Sequence, residues 1–97
     1  MDFKDRYDLG NLINEAERLV IAELERQLAL AEHKDACLCE ECVLDMAAYA
    51  LNNIRPLYRV SLLGTLYAHA IERTEFAVEL RSAVTKAIAK IKANPAH

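Results

Sequence analysis

Cys37, Cys39 and Cys42 crowd into the stretch CLCEEC at residues 37–42, and the chain has no other cysteine. Thiolates are strong ligands for zinc, and two cysteines separated by two residues let one turn present both sulfurs to a single tetrahedral ion. Cys39 and Cys42 have that spacing, and Cys37 reaches the same point if the chain bends tightly. A helix opening at about Cys42 would favour its thiolate through the helix dipole. Zinc is the expected cofactor, and a closed site needs a fourth ligand. His97 supplies it if the last helix returns antiparallel to the one after the cluster. His33 is near in sequence but on the exiting turn of the preceding helix, and His69 lies in an apolar segment. A Cys39–Cys42 redox pair is a rival reading, without the βαβ surroundings of a thioredoxin-like protein. Plain packing of small residues is another.

A second group of residues follows in LNNIRPLYRV and SLLGTLY. Asn52, Arg55, Tyr58, Arg59 and Tyr67 surround a helix end and a rigid proline. A guanidinium can fork onto phosphate oxygens or the guanine O6/N7 edge, and a tyrosine ring can stack on a purine. The cations are too sparse for the phosphate track of a duplex, so a small anionic purine ligand suits them better. Asn52 either bonds a base or caps a helix end, capping being the commoner use. The competing reading is a surface turn with solvated arginines. RPLYR also resembles the RxxxR of PilZ domains, which bind cyclic di-GMP, but PilZ is a β-barrel, so only the chemistry is shared.

These residues must be positioned by a single domain of 97 residues. It is 54% hydrophobic and 28% charged, more apolar than so small a body readily buries, which favours a dimer or a structural metal. Two glycines and two prolines leave little room for the turns of an all-β fold. The expectation is a mainly α domain of three to four helices, with a short extended or hairpin segment after the second helix, dimeric. Residues 1–48 carry five Lys/Arg against twelve Asp/Glu, a balance of −7, and residues 49–97 carry seven against three, a balance of +4. An anionic ligand is therefore sought in the second half, unless the halves merely attract each other. With no long apolar run, no secretory signal and three cysteines, a cytoplasmic location without a membrane span is expected.

Leu9, Leu12, Ile13, Ala16, Leu19, Val20, Leu24 and Leu28 recur at steps of three and four, predicting an amphipathic helix entered near Asn11 and fading around Ala31. A second, expected to be the most buried, starts about Cys42 with Val43, Ala47, Ala50, Leu51 and Ile54 on one face. It must stop by Arg55, before Pro56. The β-branched and aromatic residues around Gly64 read as extended chain. A last helix from about Thr74 carries the stripe Phe76, Leu80, Val84, Ile88 and Ile91, with lysines in its final turns and Pro95 just beyond.

The run CLCEECVLDMAAYALNNIRPLYRVSLLGTLYA resembles the core signature of the ComFB family, the late competence development proteins. Its elements are Cys37, Cys39 and Cys42, then Asp45, then Ala50, Leu51 and Asn52, then Pro56 and Tyr58, and finally Gly64, Leu66 and Tyr67. The resemblance implies a small, mainly helical, dimeric cytoplasmic protein able to bind zinc through cysteines. It also implies no catalysis and a link to cyclic dinucleotides, chiefly cyclic di-GMP and in some members cyclic di-AMP. Some members carry a fourth cysteine near the C-terminus, where this chain ends in Pro95, Ala96 and His97. The function expected is a homodimeric cyclic di-GMP receptor, with Arg55 and Arg59 on phosphate and guanine edges and Tyr58 and Tyr67 over the bases. The alternative is a zinc-stapled structural adaptor of the DNA-uptake or pilus machinery that takes no nucleotide. An enzyme is the least expected, since no nucleophile–base pair, carboxylate pair or complete catalytic metal motif is evident.

Overall fold

Asn14 organises the first turn of the domain. Its side chain accepts from the Ala16 N–H at 3.1 Å, capping a helix, and from the Leu57 N–H at 2.8 Å, tying in a distant segment. The Glu15 N–H in turn donates to the Leu57 carbonyl at 2.8 Å. In this computed structural model, residues 2–60 and 75–95 are described. They form α1 (Phe3–Arg6), β1 (Ile13–Asn14), α2 (Glu15–Leu28), α3 (Glu40–Leu51), β2 (Tyr58–Arg59) and α4 (Glu75–Ala93). Short 3-10 turns occupy Leu9–Asn11 and Ala31–His33. The mainly helical expectation holds.

β1 and β2 pair antiparallel, Ile13 opposite Arg59 and Asn14 opposite Tyr58. Of the extended segment expected after the cysteine-bearing helix, Tyr58–Arg59 forms a strand whose partner is the chain just before α2, whereas Gly64 and the residues around it lie outside the described residues. This pairing corrects the predicted start of the long helix. Asn14 has an extended backbone (φ −94°, ψ 104°), so α2 opens at Glu15 rather than near Asn11. Leu9, Leu12 and Ile13, expected on its stripe, are exposed.

The core is a three-helix sandwich. α2 contributes Ala16, Leu19, Val20 and Leu24, α3 Met46, Ala47 and Ala50, and α4 Phe76, Leu80, Ala83, Val84, Ala87 and Ile88. The stripe on α4 is the one its spacing predicted. α3, expected to be the most buried helix, instead buries one face, and Leu44 is 59% exposed. Glu41, Leu44, Asp45 and Ala48 are exposed on its other side, so few charges did not mean full burial.

α3 and α4 run antiparallel. Arg55, beyond the end of α3, pairs with Glu79 near the start of α4, while Asp35, ahead of α3, pairs with Lys92 at the end of α4, 2.9 Å in each case. Between α2 and α4, buried Gln27 donates to the Arg81 carbonyl at 3.1 Å and accepts from Thr85 Oγ1 at 3.0 Å, so its amide is satisfied. α3 ends at Leu51, four residues short of the predicted limit. The Asn53 side chain donates to the Tyr49 carbonyl at 2.8 Å and closes the last turn locally, before Pro56 can enforce a stop. No described helix is long and apolar enough to cross a membrane.

Candidate functional site

The cysteine cluster sits where the loop from α2 enters α3. Cys39 is the N-cap residue, extended in backbone, and its Sγ accepts the Cys42 N–H at 3.4 Å. Cys42 falls in the first helical turn, as its position implied, and is buried, whereas Cys37 and Cys39 are half-buried. The three Sγ atoms lie within 4.8 Å of one another and are not bridged by disulfides. Zinc–sulfur bonds of about 2.3 Å would place tetrahedral sulfurs roughly 3.8 Å apart, within a small adjustment of this arrangement. Hydrogen bonds from the Cys39 backbone and thiol hold the Cys37 thiol below its ordinary pKa, favouring the thiolate that a metal requires. The donor set therefore fits a thiophilic ion.

A hollow of about 130 Å³ beside the cluster is lined by Cys37, Cys42, Met46, Ile91, Lys92 and Pro95. The antiparallel return of α4 has thus brought Pro95 beside Cys37 and Cys42. His97, two positions further on, lies outside the described residues, as do His69 and Tyr67. His33 is not part of the close group, and its Nδ1 is buried without a hydrogen-bond partner.

The two arginines of RPLYR are directed to different helices. Arg55 grips Glu79 with two hydrogen bonds, at 2.9 and 3.1 Å, and its guanidinium lies 5.8 Å from the centre of the Phe76 ring. Arg59 turns to α2, where its Nε donates to Glu15. Asn52 is the C-cap residue of α3 through its backbone, and Tyr58 is exposed. The strand pairing places Tyr58 and Arg59 on a cleft of about 490 Å³, whose other walls include Leu12, Ile13 and the first turn of α2. That is within the 300–1,000 Å³ usual for a small-molecule site.

Beneath this cleft lies Glu15, which nothing in the sequence singles out. Its carboxylate also accepts from Arg18 Nε at 3.0 Å. The side chain of Glu15 is 4% exposed, against 52% for Arg18 and 23% for Arg59. Hydrogen bonds from Arg18 and then Arg59 outweigh desolvation and hold the Glu15 pKa below its ordinary value near 4.5. A folded-state pKa below the unfolded one stabilises the fold at pH above the unfolded value, and this contribution is lost as pH falls through the folded value. Acid titration of the melting temperature should therefore decline below about pH 5, and more shallowly in Glu15→Gln. An unchanged acid limb in that variant would mean that Glu15 does not carry the dependence. Arg18 offered no signal in the sequence beyond its charge, since its link to Arg59 runs through a residue 44 positions away from Arg59.

No individual curated protein matches the chain. The sequence does match the family described as Late competence development protein ComFB, over residues 13–95. The match takes in everything from β1 to the end of α4, including the cysteine cluster and both strands of the ribbon. With the three long helices, the thiol cap of α3 and the Tyr58–Arg59 strand all inside that span, the chain belongs to the ComFB family.

Proposed function

We propose that the protein is a non-catalytic cytoplasmic receptor for a cyclic dinucleotide, cyclic di-GMP before cyclic di-AMP, acting as a homodimer. The observation that carries this reading is the cleft of about 490 Å³ in which Tyr58 and Arg59 stand together. It offers an aromatic face for a purine and a guanidinium for phosphate or a guanine edge. Arg59 binds with Glu15 still in place, because releasing a buried carboxylate would be costly. Arg55 makes a half-exposed ion pair with Glu79, worth about 0–1 kcal/mol, so a phosphate can replace that carboxylate at little expense. Tyr67 and Asn52 remain in the proposed ligand set, Tyr67 over a base and Asn52 at the helix end. A two-fold dimer would present equal surfaces to the two halves of the ligand.

Zinc belongs to the same proposal as a structural staple held by Cys37, Cys39 and Cys42. His97 is the favoured fourth ligand, supported by the place of Pro95 beside the thiols, and His33 is the alternative.

Calorimetry with cyclic di-GMP tests the reading. Arg59→Ala should weaken binding by about ten- to a hundredfold, the worth of a hydrogen bond to a charged group. Arg55→Ala should weaken it less. If neither does, the ligand lies elsewhere. Sedimentation at micromolar concentration should give a dimer.

The second reading, a zinc-stapled adaptor of the DNA-uptake or pilus machinery with no nucleotide, is favoured by a different feature. Ile21, Leu24, Leu28, Leu38 and Val43 line an apolar groove of about 430 Å³ between α2 and α3. A melting temperature unmoved by cyclic dinucleotides would favour this adaptor, since a ligand bound only by the folded state must raise it.

A further inference from the structure

The cleft at the ribbon is walled by the first turn of α2 as well as by β2, and that turn brings two side chains that the RPLYR segment does not contain. Glu17 and Arg18 both line it and both are exposed. Arg18 converges with Arg59 on the buried carboxylate of Glu15, each through Nε. Formal charge in the cleft is balanced, two guanidiniums against Glu15 and Glu17, yet the charges are layered. Glu15 lies underneath at 4% exposure, whereas the Arg18 side chain is 52% exposed and that of Arg59 23%. A ligand entering from solvent thus meets the guanidiniums first, held by a shared carboxylate that fixes their spacing. This is how a site is preorganised for an anion without a large net positive charge.

Glu17 adds the opposite requirement. A carboxylate only accepts hydrogen bonds, so it calls for a base with donors on its edge. Guanine presents N1–H and N2–H together, a pair that two carboxylate oxygens can accept. Adenine presents the N1 lone pair there, which a carboxylate repels.

We propose that Arg18 joins Arg59 on the phosphate of a guanine nucleotide and that Glu17 selects guanine over adenine, with Glu15 as the positioning residue beneath them. This rests on the reading of the chain as a cyclic dinucleotide receptor and assigns the base preference of that site.

The test is calorimetry of the full chain with cyclic di-GMP and with cyclic di-AMP. Wild type prefers cyclic di-GMP by about tenfold or more, the equivalent of one good charged hydrogen bond. R18A weakens both ligands by about tenfold. E17A lowers affinity for cyclic di-GMP to near that for cyclic di-AMP and leaves the latter no weaker. Glu17 is exposed, so E17A should melt within a few degrees of wild type without ligand, whereas R18A removes a hydrogen bond to buried Glu15 and should melt somewhat lower while Arg59 still holds that carboxylate. In an E15Q background R18A keeps its penalty if the guanidinium touches the ligand, and becomes neutral if Arg18 acts only through Glu15. Wild-type affinity in R18A, a neutral R18A in the E15Q background, or a preserved preference in E17A overturns the proposal. If any of these occurs while R59A still loses binding, the receptor reading stands alone. A wild-type chain that takes neither ligand removes both.

Discussion

Phe76→Ala should destabilise the domain by about 3–5 kcal/mol, the usual cost of truncating a buried phenylalanine and leaving a cavity. The ring is fully buried on the first turn of α4 and belongs to the single cluster that joins all three long helices. Total stability for a domain of this size is about 5–15 kcal/mol, so the loss is a large fraction of it. In melting temperature it corresponds to a fall of roughly 15–30 °C, read by circular dichroism or urea unfolding. Phe76 also carries the Arg55 guanidinium over its face, so the variant loosens the turn after α3 as well. Val78→Ala, on the same helix but 60% exposed, is the matched control and should stay within about 0.5 kcal/mol of wild type. Equal melting of the two variants would mean that the core does not lie on this face of α4.

Removal of the proposed zinc is the other large effect. A ligand that binds only the folded state at a thousand times its dissociation constant adds about 4 kcal/mol, so chelation should cost a similar amount, roughly 15–30 °C in melting temperature. The loss is expected to start at the N-terminus of α3, where Cys39 caps the helix, and to reach the end of α4 through the Asp35–Lys92 pair. Cys37→Ser is the informative variant. Cys42 is buried, and a hydroxyl there would destabilise by desolvation alone, whereas Cys37 is half-buried. Loss of about one equivalent of zinc together with the drop in melting temperature, and a sulfur-to-cobalt charge-transfer band in cobalt-substituted wild type but a weaker one in the variant, are the expected results. Wild-type metal content and melting behaviour in Cys37→Ser would leave the cluster as packing.

Several parts of this architecture are written in short-range spacing. The α4 stripe is one, because residues three and four apart share a helix face wherever that face is buried. The thiol cluster is another, because six residues of chain cannot place its sulfurs far apart once Cys39 caps a helix. The antiparallel return of α4, which the argument for a C-terminal zinc ligand required, is now visible in the Asp35–Lys92 and Arg55–Glu79 pairs that close its two ends. The start of α2 was not legible in this way. Leu9, Leu12 and Ile13 continue the helical spacing perfectly well, and only contacts with chain far along the sequence, the Leu57 N–H to Asn14 across 43 positions and the pairing of Ile13 with Arg59, make it a 3-10 turn at Leu9–Asn11 followed by the short strand Ile13–Asn14.

The sequence by itself therefore determined the helical class, the thiol cluster and the core face of α4, since each depends on neighbours within a turn or two. Only the tertiary structure decided where the arginines point. Only Pro56, Leu57 and Tyr58 separate Arg55 from Arg59, and whether the two converge or diverge depends on carboxylates on two other helices. Those carboxylates, Glu79 and Glu15, lie 24 and 44 positions away. Charge attracts through space rather than along the chain, so the pairing that builds the cleft, with Arg18 and Glu17 in its wall, exists only once α2 and the Tyr58–Arg59 strand have come together.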